Sequence, residues 1–357
     1  MSLTERLRAE IAATGPISVA EFMLRCLHDP SDGYYATRPA LGPAGDFVTA
    51  PLVSQMFGEL LGLWAVETWN RLGRPERVRL VELGPGDGTL IADALRAAAV
   101  IPAFLGTVEL ILVEVSAPLA ALQRERLAQA RVAPTWARSL GEIEPGAPVI
   151  LIANELLDCL PARQFVRVQR GWAERVVGLG EHGGLAFGLI PTLKPASAPD
   201  DLEPGLVWEV SAAQAALGSE VGALVAREGG CALFVDYGRA VPEPGDTLQA
   251  LRRHAKVDPL ASAGEADLTV WADFPAVLAA ARETGAETAP IVPQGEFLRR
   301  LGIERRAAGL ARARPDMAEV VERQLARLTA PEQMGTLFKA AAVHQPGLVP
   351  PGFEEAA

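Results

Sequence analysis

Four short runs dominated by aliphatic residues, VRLVEL (78–83), VELILVEV (108–115), VILIA (149–153) and CALFVDY (231–237), alternate with segments of helical character. Strands this apolar belong where both faces are covered, as in a parallel sheet. Alternation of such strands with helices predicts an α/β, doubly wound, Rossmann-like fold. The segment GTLFKAAAVHQ (335–345) is expected to return to the sheet as a last strand.

The chain before residue 76 reads as three helices, with a loop rich in Gly, Pro and Asp from 29 to about 50 between the second and third. Leu3, Leu7 and Ile11 recur every four residues, and Gly15-Pro16 ends the pattern. Ser18 and Glu21 have capping-box spacing, Ile17 and Phe22 the spacing of a hydrophobic staple, and Asp29-Pro30 closes that second helix. A third helix carries Val53, Met56, Phe57, Leu60, Leu61 and Trp64 on one face and stops at Gly73 and Pro75. Between 164 and 208 the runs QFVRVQR, WAERVVG and LAFGLI predict an antiparallel insertion. The expected organisation is therefore an N-terminal helical and lid segment (1–75), a core from 76–163, 206–237 and 306–346, insertions at 164–205 and 238–305, and a flexible tail at 347–357.

The sharpest local signal is Glu82-Leu83-Gly84-Pro85-Gly86-Asp87-Gly88-Thr89, placed between a strand and a helix. Glycines allow a tight turn and close approach of backbone to a ligand. The dinucleotide fingerprint needs a glycine where Thr89 stands, and an acid such as Glu82 beside the loop would repel a pyrophosphate. S-adenosylmethionine carries an ammonium and a sulfonium instead, so the loop favours it over NAD. Glu114, closing the second strand, is placed to accept hydrogen bonds from ribose hydroxyls, with Val115 beside it and Ser116 as the cap of the next helix. After the strand VILIA come Asn154, Glu155 and Asp158, outside the carboxyl end of the sheet where ligands of open α/β sheets sit. If that turn is helical, Glu155 and Asp158 share a face, and paired carboxylates suit a guanidinium fork.

Several stretches together resemble the MidA-like family: Gly45-Asp46-Phe47, the run SQMFGE (54–59), ELGPGDGTL, Asn154-Glu155 with Asp158, Asp236-Tyr237-Gly238, VDPL (257–260), GEADLT (264–269), QGEFLRRLGI (294–303) and MGTLFK (334–339). The resemblance spans almost the whole chain. It implies a methyltransferase core using S-adenosylmethionine, with Gly84, Gly86, Gly88 and Glu114 at the cofactor. It further implies an arginine on an NADH dehydrogenase subunit as substrate, because the family's mitochondrial member is a protein arginine methyltransferase that assists respiratory complex I assembly. Leu52, Leu156, Leu157 and Trp271 stand where the family pattern has other residues, and these departures are expected to fall on the substrate side. With an arginine substrate, Glu155 and Asp158 would hold the guanidinium and Asp46 would join from the lid, near Tyr34 and Tyr35. A catalytically weak assembly chaperone and a small-molecule methyltransferase remain as alternatives.

Composition narrows the partners. A formal net charge of −11 and pI near 5.0 oppose general nucleic-acid binding, which requires a basic face. Cys26, Cys159 and Cys231 form no pair motif, and the four histidines show no zinc spacing, so neither a disulfide frame nor a metal is expected. No apolar run reaches the roughly 18 residues that span a bilayer, and MSLTERLRAE lacks a signal core, which makes a bacterial cytoplasmic location the expectation. Pairing of two chains through exposed faces of the N-terminal helices is left open.

Overall fold

The computed structural model describes residues 1–37 and 49–354. These divide into two compact units. One draws its described residues from Met1–Phe47, Leu157–Gln214 and Val241–Asp273, the other from Val48–Leu156, Ala215–Ala240 and Phe274–Ala357. The segments expected from sequence are thus regrouped. Residues 1–37 and 49–75 belong to different units, and the stretch from 274 onward, which contains the helix Phe274–Arg282, belongs with the sheet rather than with an insertion.

The larger unit is built on a sheet whose principal strands are β1 (Val78–Leu83), β2 (Val108–Val113), β3 (Pro134–Ala137), β4 (Val149–Asn154), β5 (Gly230–Arg239) and β6 (Phe338–His344). Their spatial order is β3-β2-β1-β4-β5-β6. The first five run parallel, with Leu80 opposite Leu110 on one side and Ile150 on the other, while β6 is antiparallel to β5. All residues of β1 and β5 are buried, which explains why these runs lack the alternation of a one-faced sheet. The edge strand β3, sequence PTWA, was not expected, because four residues beginning with proline carry neither length nor alternation. The chain order reverses between β1 and β4, so the loops leaving these two neighbours diverge and open a crevice at the carboxyl ends of the strands.

Three helices set the loops of that crevice: α1 (Gln55–Arg71), α2 (Thr89–Ala98) and α3 (Ala117–Arg126). Met56, Phe57, Leu60, Leu61 and Trp64 of α1 are buried in the core as their spacing predicts. Val53 instead ends a separate short helix, Ala50–Val53, and the chain bends at Ser54, whose hydroxyl accepts the Met56 N–H at 3.3 Å to cap α1. α1 presses against α2 without intervening side chains: a Cβ at Gly62 would lie 2.3 Å from the Ala94 carbonyl oxygen. Glu59, on the same helix and 4% exposed, bonds Arg96 Nη1 of α2 at 2.6 Å and Arg306 Nε at 2.6 Å. Burial pushes its pKa up, but the hydrogen bonds from Arg306 and Arg96 prevail and hold it below the ordinary value.

The smaller unit holds the helices Leu3–Thr14 and Val19–His28, the second capped by Ser18 accepting the Glu21 N–H at 3.1 Å. In its antiparallel sheet Gly171–Leu179 is paired on one side by Arg163–Val168 and, further along, Ile17–Ser18, and on the other by Leu185–Thr192, while Val207–Val210 pairs with Arg163–Val168. A separate three-stranded sheet comprises Ala255–Val257, Gln249–Arg252 and Asp267–Thr269. Among the described residues no helix is long and apolar enough to cross a membrane.

Candidate functional site

Leaving β1, the chain enters the glycine loop, where Gly84, Gly86 and Gly88 have φ of 60°, 56° and 80°. Side chains are rarely tolerated in this left-handed region. Gly84 has a second reason to be glycine, since a Cβ there would lie 2.9 Å from Leu156 Cδ1. The Pro85 carbonyl accepts the Gly88 N–H at 2.9 Å, and Asp87 Oδ1 accepts the N–H of Thr89, the first residue of α2, at 3.0 Å. Arg126 braces this corner from α3, lying 3.0 Å from Asp87 Oδ2 and bonding Thr89 Oγ1.

Glu82, one residue from the end of β1, is 2% exposed, and its Oε2 has no hydrogen-bond partner among the described residues. Burial, reinforced by the charges of Asp87 and Glu114, pushes its pKa from the ordinary 4.5 up to about 8. A buried carboxyl with an open acceptor is completed by a ligand that brings a donor or a positive charge.

Glu114 stands just beyond β2, tied by its N–H to the Ala137 carbonyl at 3.0 Å. Its Oε1 accepts the Ser116 N–H at 2.7 Å and its Oε2 accepts Gln123 Nε2 at 3.0 Å. Burial raises the Glu114 pKa, and these bonds limit the rise. Ser116 caps α3 by accepting the Leu119 N–H at 3.4 Å, while the side chain of Val115 is 55% exposed.

Gln123 was not singled out from sequence, and it connects the two halves of this loop system. Its Nε2 also donates to the Gly86 carbonyl at 2.8 Å, and its Oε1 accepts Trp136 Nε1 at 2.9 Å. The signal for it was a polar residue at helical spacing from the buried Leu119 and Ala120. Replacing it by leucine keeps the bulk and removes all three bonds. The expected result is a roughly tenfold loss of S-adenosylmethionine affinity by calorimetric titration, since a net hydrogen bond contributes about 1 kcal/mol and a stranded partner costs more. A fall in melting temperature with unchanged affinity would refute a role in positioning the loop.

Beyond β4 the chain turns sharply, and Glu155 has φ of 49°. No helical turn forms here, so Glu155 and Asp158 do not share a helix face, and the argument from their three-residue spacing does not hold. The turn is fixed instead by Asp236, 1% exposed, whose Oδ2 accepts the Leu156 N–H at 3.0 Å and whose Oδ1 accepts the Tyr237 N–H at 2.8 Å. Asp236 belonged to a motif of the family resemblance but not to the expected site. Glu155 Oε1 accepts the Ala50 N–H at 2.8 Å and Asn154 Nδ2 at 3.3 Å, while Asn154 Oδ1 is buried without a hydrogen-bond partner among the described residues. Leu156 lies against Gly84, so this departure from the family pattern touches the glycine loop.

Asp158 belongs to the smaller unit, where it is 6% exposed. In that unit Tyr35 donates its hydroxyl to Asp267 Oδ1 at 3.0 Å. Burial first, then the charges of Asp267, Cys159 and Asp158, hold the Tyr35 pKa well above the ordinary value. Tyr34 is buried edge-on to Tyr35, with ring centroids 5.2 Å apart. Asp46 lies outside the described residues. Among the described residues no cluster of three or more His, Cys, Asp or Glu side chains could hold a metal ion.

A family profile described as "Putative S-adenosyl-L-methionine-dependent methyltransferase" matches residues 60–292. The chain belongs to this MidA-like methyltransferase family. It is 35% identical to the mitochondrial protein arginine methyltransferase NDUFAF7 homolog of Drosophila melanogaster, over 98% of this chain and 86% of that protein. With NDUFAF7 of Homo sapiens it shares 33% identity over 96% of this chain and 83% of that protein. The crystal structure of a Burkholderia thailandensis superfamily member bound to S-adenosyl-homocysteine superposes with a TM-score of 0.84 at 30% identity, covering 99% of this chain and 93% of that one. The MidA-like site fits S-adenosylmethionine by its own chemistry: the open Glu82 Oε2 suits an ammonium, Gly84 and Gly86 let backbone approach, and Gln123 ties the Glu114 carboxylate to the same loop.

Proposed function

We propose that this MidA-like chain methylates an arginine of a protein partner, with an NADH dehydrogenase subunit as the first partner to test. Identity of 33–36% over at least 85% of this chain with proteins named protein arginine methyltransferase carries the reading. S-adenosylmethionine supplies an electrophilic methyl on a sulfonium. The protein's part is to hold the acceptor in line, which can be worth roughly 7–11 kcal/mol of the barrier. An arginine acceptor is fully charged at neutral pH and must present a lone pair. Glu155 is suited to orient it, because the Ala50 N–H and the Asn154 amide fix one oxygen of its carboxylate. A carboxylate held in this way makes charge-assisted bonds to a guanidinium and offers a base for the proton that leaves.

The test incubates the full chain with methyl-tritiated S-adenosylmethionine and protein extract from cells lacking the enzyme, then counts methylarginine after hydrolysis. Label is expected in methylarginine of a discrete protein. Glu155→Gln is expected to slow transfer about 100-fold while leaving cofactor affinity within about threefold, the size of a lost acid–base or oriented charge contact. Label confined to small molecules would overturn the protein substrate. Saturable cofactor binding with no label in any acceptor would favour the assembly-chaperone alternative.

A further inference from the structure

The strand Leu185–Thr192 of the smaller unit pairs with Gly171–Leu179 on one side and with no other strand among the described residues. It is an open edge eight residues long, LAFGLIPT, without a single charge. Natural edges are usually blunted by charged side chains, bulges or proline, and only Pro191, near the end, serves that purpose here. Phe187, Leu189 and Ile190 are 41%, 52% and 42% exposed, and Leu193 just beyond is 87% exposed. On one face the small residues Gly178, Ala186 and Gly188 leave a groove of about 520 Å³ against Ile11 and Pro16, with Ile190 at its rim.

We infer that this edge is the interface between two copies of the chain, paired antiparallel about a two-fold axis at Gly188. A second copy is the occupant because the strand complements itself. Pairing centred on Gly188 places Phe187 opposite Leu189 of the partner on one face, an aromatic–aliphatic cross-strand pair. On the other face it places Ile190 of the partner over Ala186 and the shallow floor of the groove, large against small. No like charges meet along the strand, although the chain as a whole carries −11. Arg175, 5.5 Å over the Phe187 ring and 2.7 Å from Asp246, supplies a polar rim. The exposed side chains of Leu179, Phe187, Leu189, Ile190 and Leu193 offer at most about 500 Å² per copy. A symmetric pair can thus bury up to about 1,000 Å² before the backbone edge is counted, close to the roughly 1,200 Å² where stable interfaces begin. This differs from pairing through the N-terminal helices.

Sedimentation velocity of the full chain across micromolar concentrations tests the inference. The wild type is expected to sediment as a dimer that dissociates on dilution, and Leu189→Lys as a monomer throughout with an unchanged circular dichroism spectrum and melting temperature. Ile190→Ser, a gentler change on the opposite face, should raise the dimer dissociation constant at least tenfold. Leu63→Lys, at a 40% exposed site of α1, should leave the dimer intact. A wild type that is monomeric throughout, including one that instead captures extended apolar peptides, overturns the inference, as does a dimer that survives both edge substitutions. Methyl transfer is not read in these measurements, so their outcome is independent of the substrate.

Discussion

S-adenosylmethionine will bind more tightly as the pH rises from about 6 to about 8, by up to tenfold per unit, and will weaken again above that. Glu82 is the cause of the acid limb. In the unliganded protein burial and the charges of Asp87 and Glu114 hold its pKa at about 8, so at neutral pH it carries a proton. A cation brought against Oε2 favours the ionised form, and binding must expel that proton. The alkaline limb belongs to the ligand, whose α-ammonium loses its charge near 8. Titration calorimetry at pH 7 in two buffers of different ionisation enthalpy should show close to one proton released per cofactor bound. Glu82→Gln should abolish both the release and the acid limb and weaken binding at pH 8 by 10- to 100-fold, the worth of a charge-assisted bond of about 1.5–3 kcal/mol. Equal affinity at pH 6 and 8, with no proton exchanged, would remove Glu82 from the ammonium. The same group affects the unliganded fold in the opposite sense. An unfolded chain ionises Glu82 near 4.5 while the folded one does so only near 8, so its contribution lowers stability as the pH climbs through that interval.

A large loss of stability is expected from substitution at Gly62. An isopropyl group in place of its hydrogen would enter backbone that is already in contact, with Ala94 O at 2.3 Å and Ala94 Cα at 2.6 Å from the first added carbon. Backbone cannot rotate aside, so α1 and α2 must separate. Gly62→Val should cost about 3 kcal/mol, lowering the melting temperature of a unit this size by roughly 6–12 °C. Because α2 begins at Thr89, its displacement also moves the glycine loop, and cofactor affinity should fall even where the variant is folded. Leu63→Ala, next in sequence but 40% exposed, should change melting by no more than about 2 °C. If Gly62→Val melts with the wild type, the close helix contact is not what carries the loop.

How far the sequence disclosed this architecture depended on whether a feature was local. The buried parallel strands were legible because burial on both faces leaves an unbroken aliphatic run, as in Val149–Asn154. The glycine loop was legible because backbone at positive φ requires the residue type itself. The turn after β4 was not, since Glu155 takes a left-handed conformation that no local rule assigns to glutamate. What holds it there is Asp236, eighty positions away in the chain and placed by the pairing of β4 with β5. Gln123 was hidden for a similar reason: its partners Gly86, Glu114 and Trp136 come from three separate segments. The packing of a Leu156 methyl against Gly84 was likewise visible only in the folded chain.

The conformation of Glu155 has an evolutionary corollary. A glutamate at φ of 49° sits where glycine or asparagine would be more comfortable, by an amount on the order of 1 kcal/mol. Leaving glutamate relieves that strain but strands the Ala50 N–H that its carboxylate accepts, so the side chain, not the backbone, keeps the residue here. On the role proposed for Glu155, descendants of this fold with glycine or asparagine at its position would be those in which the need for the carboxylate has lapsed while the scaffold survived.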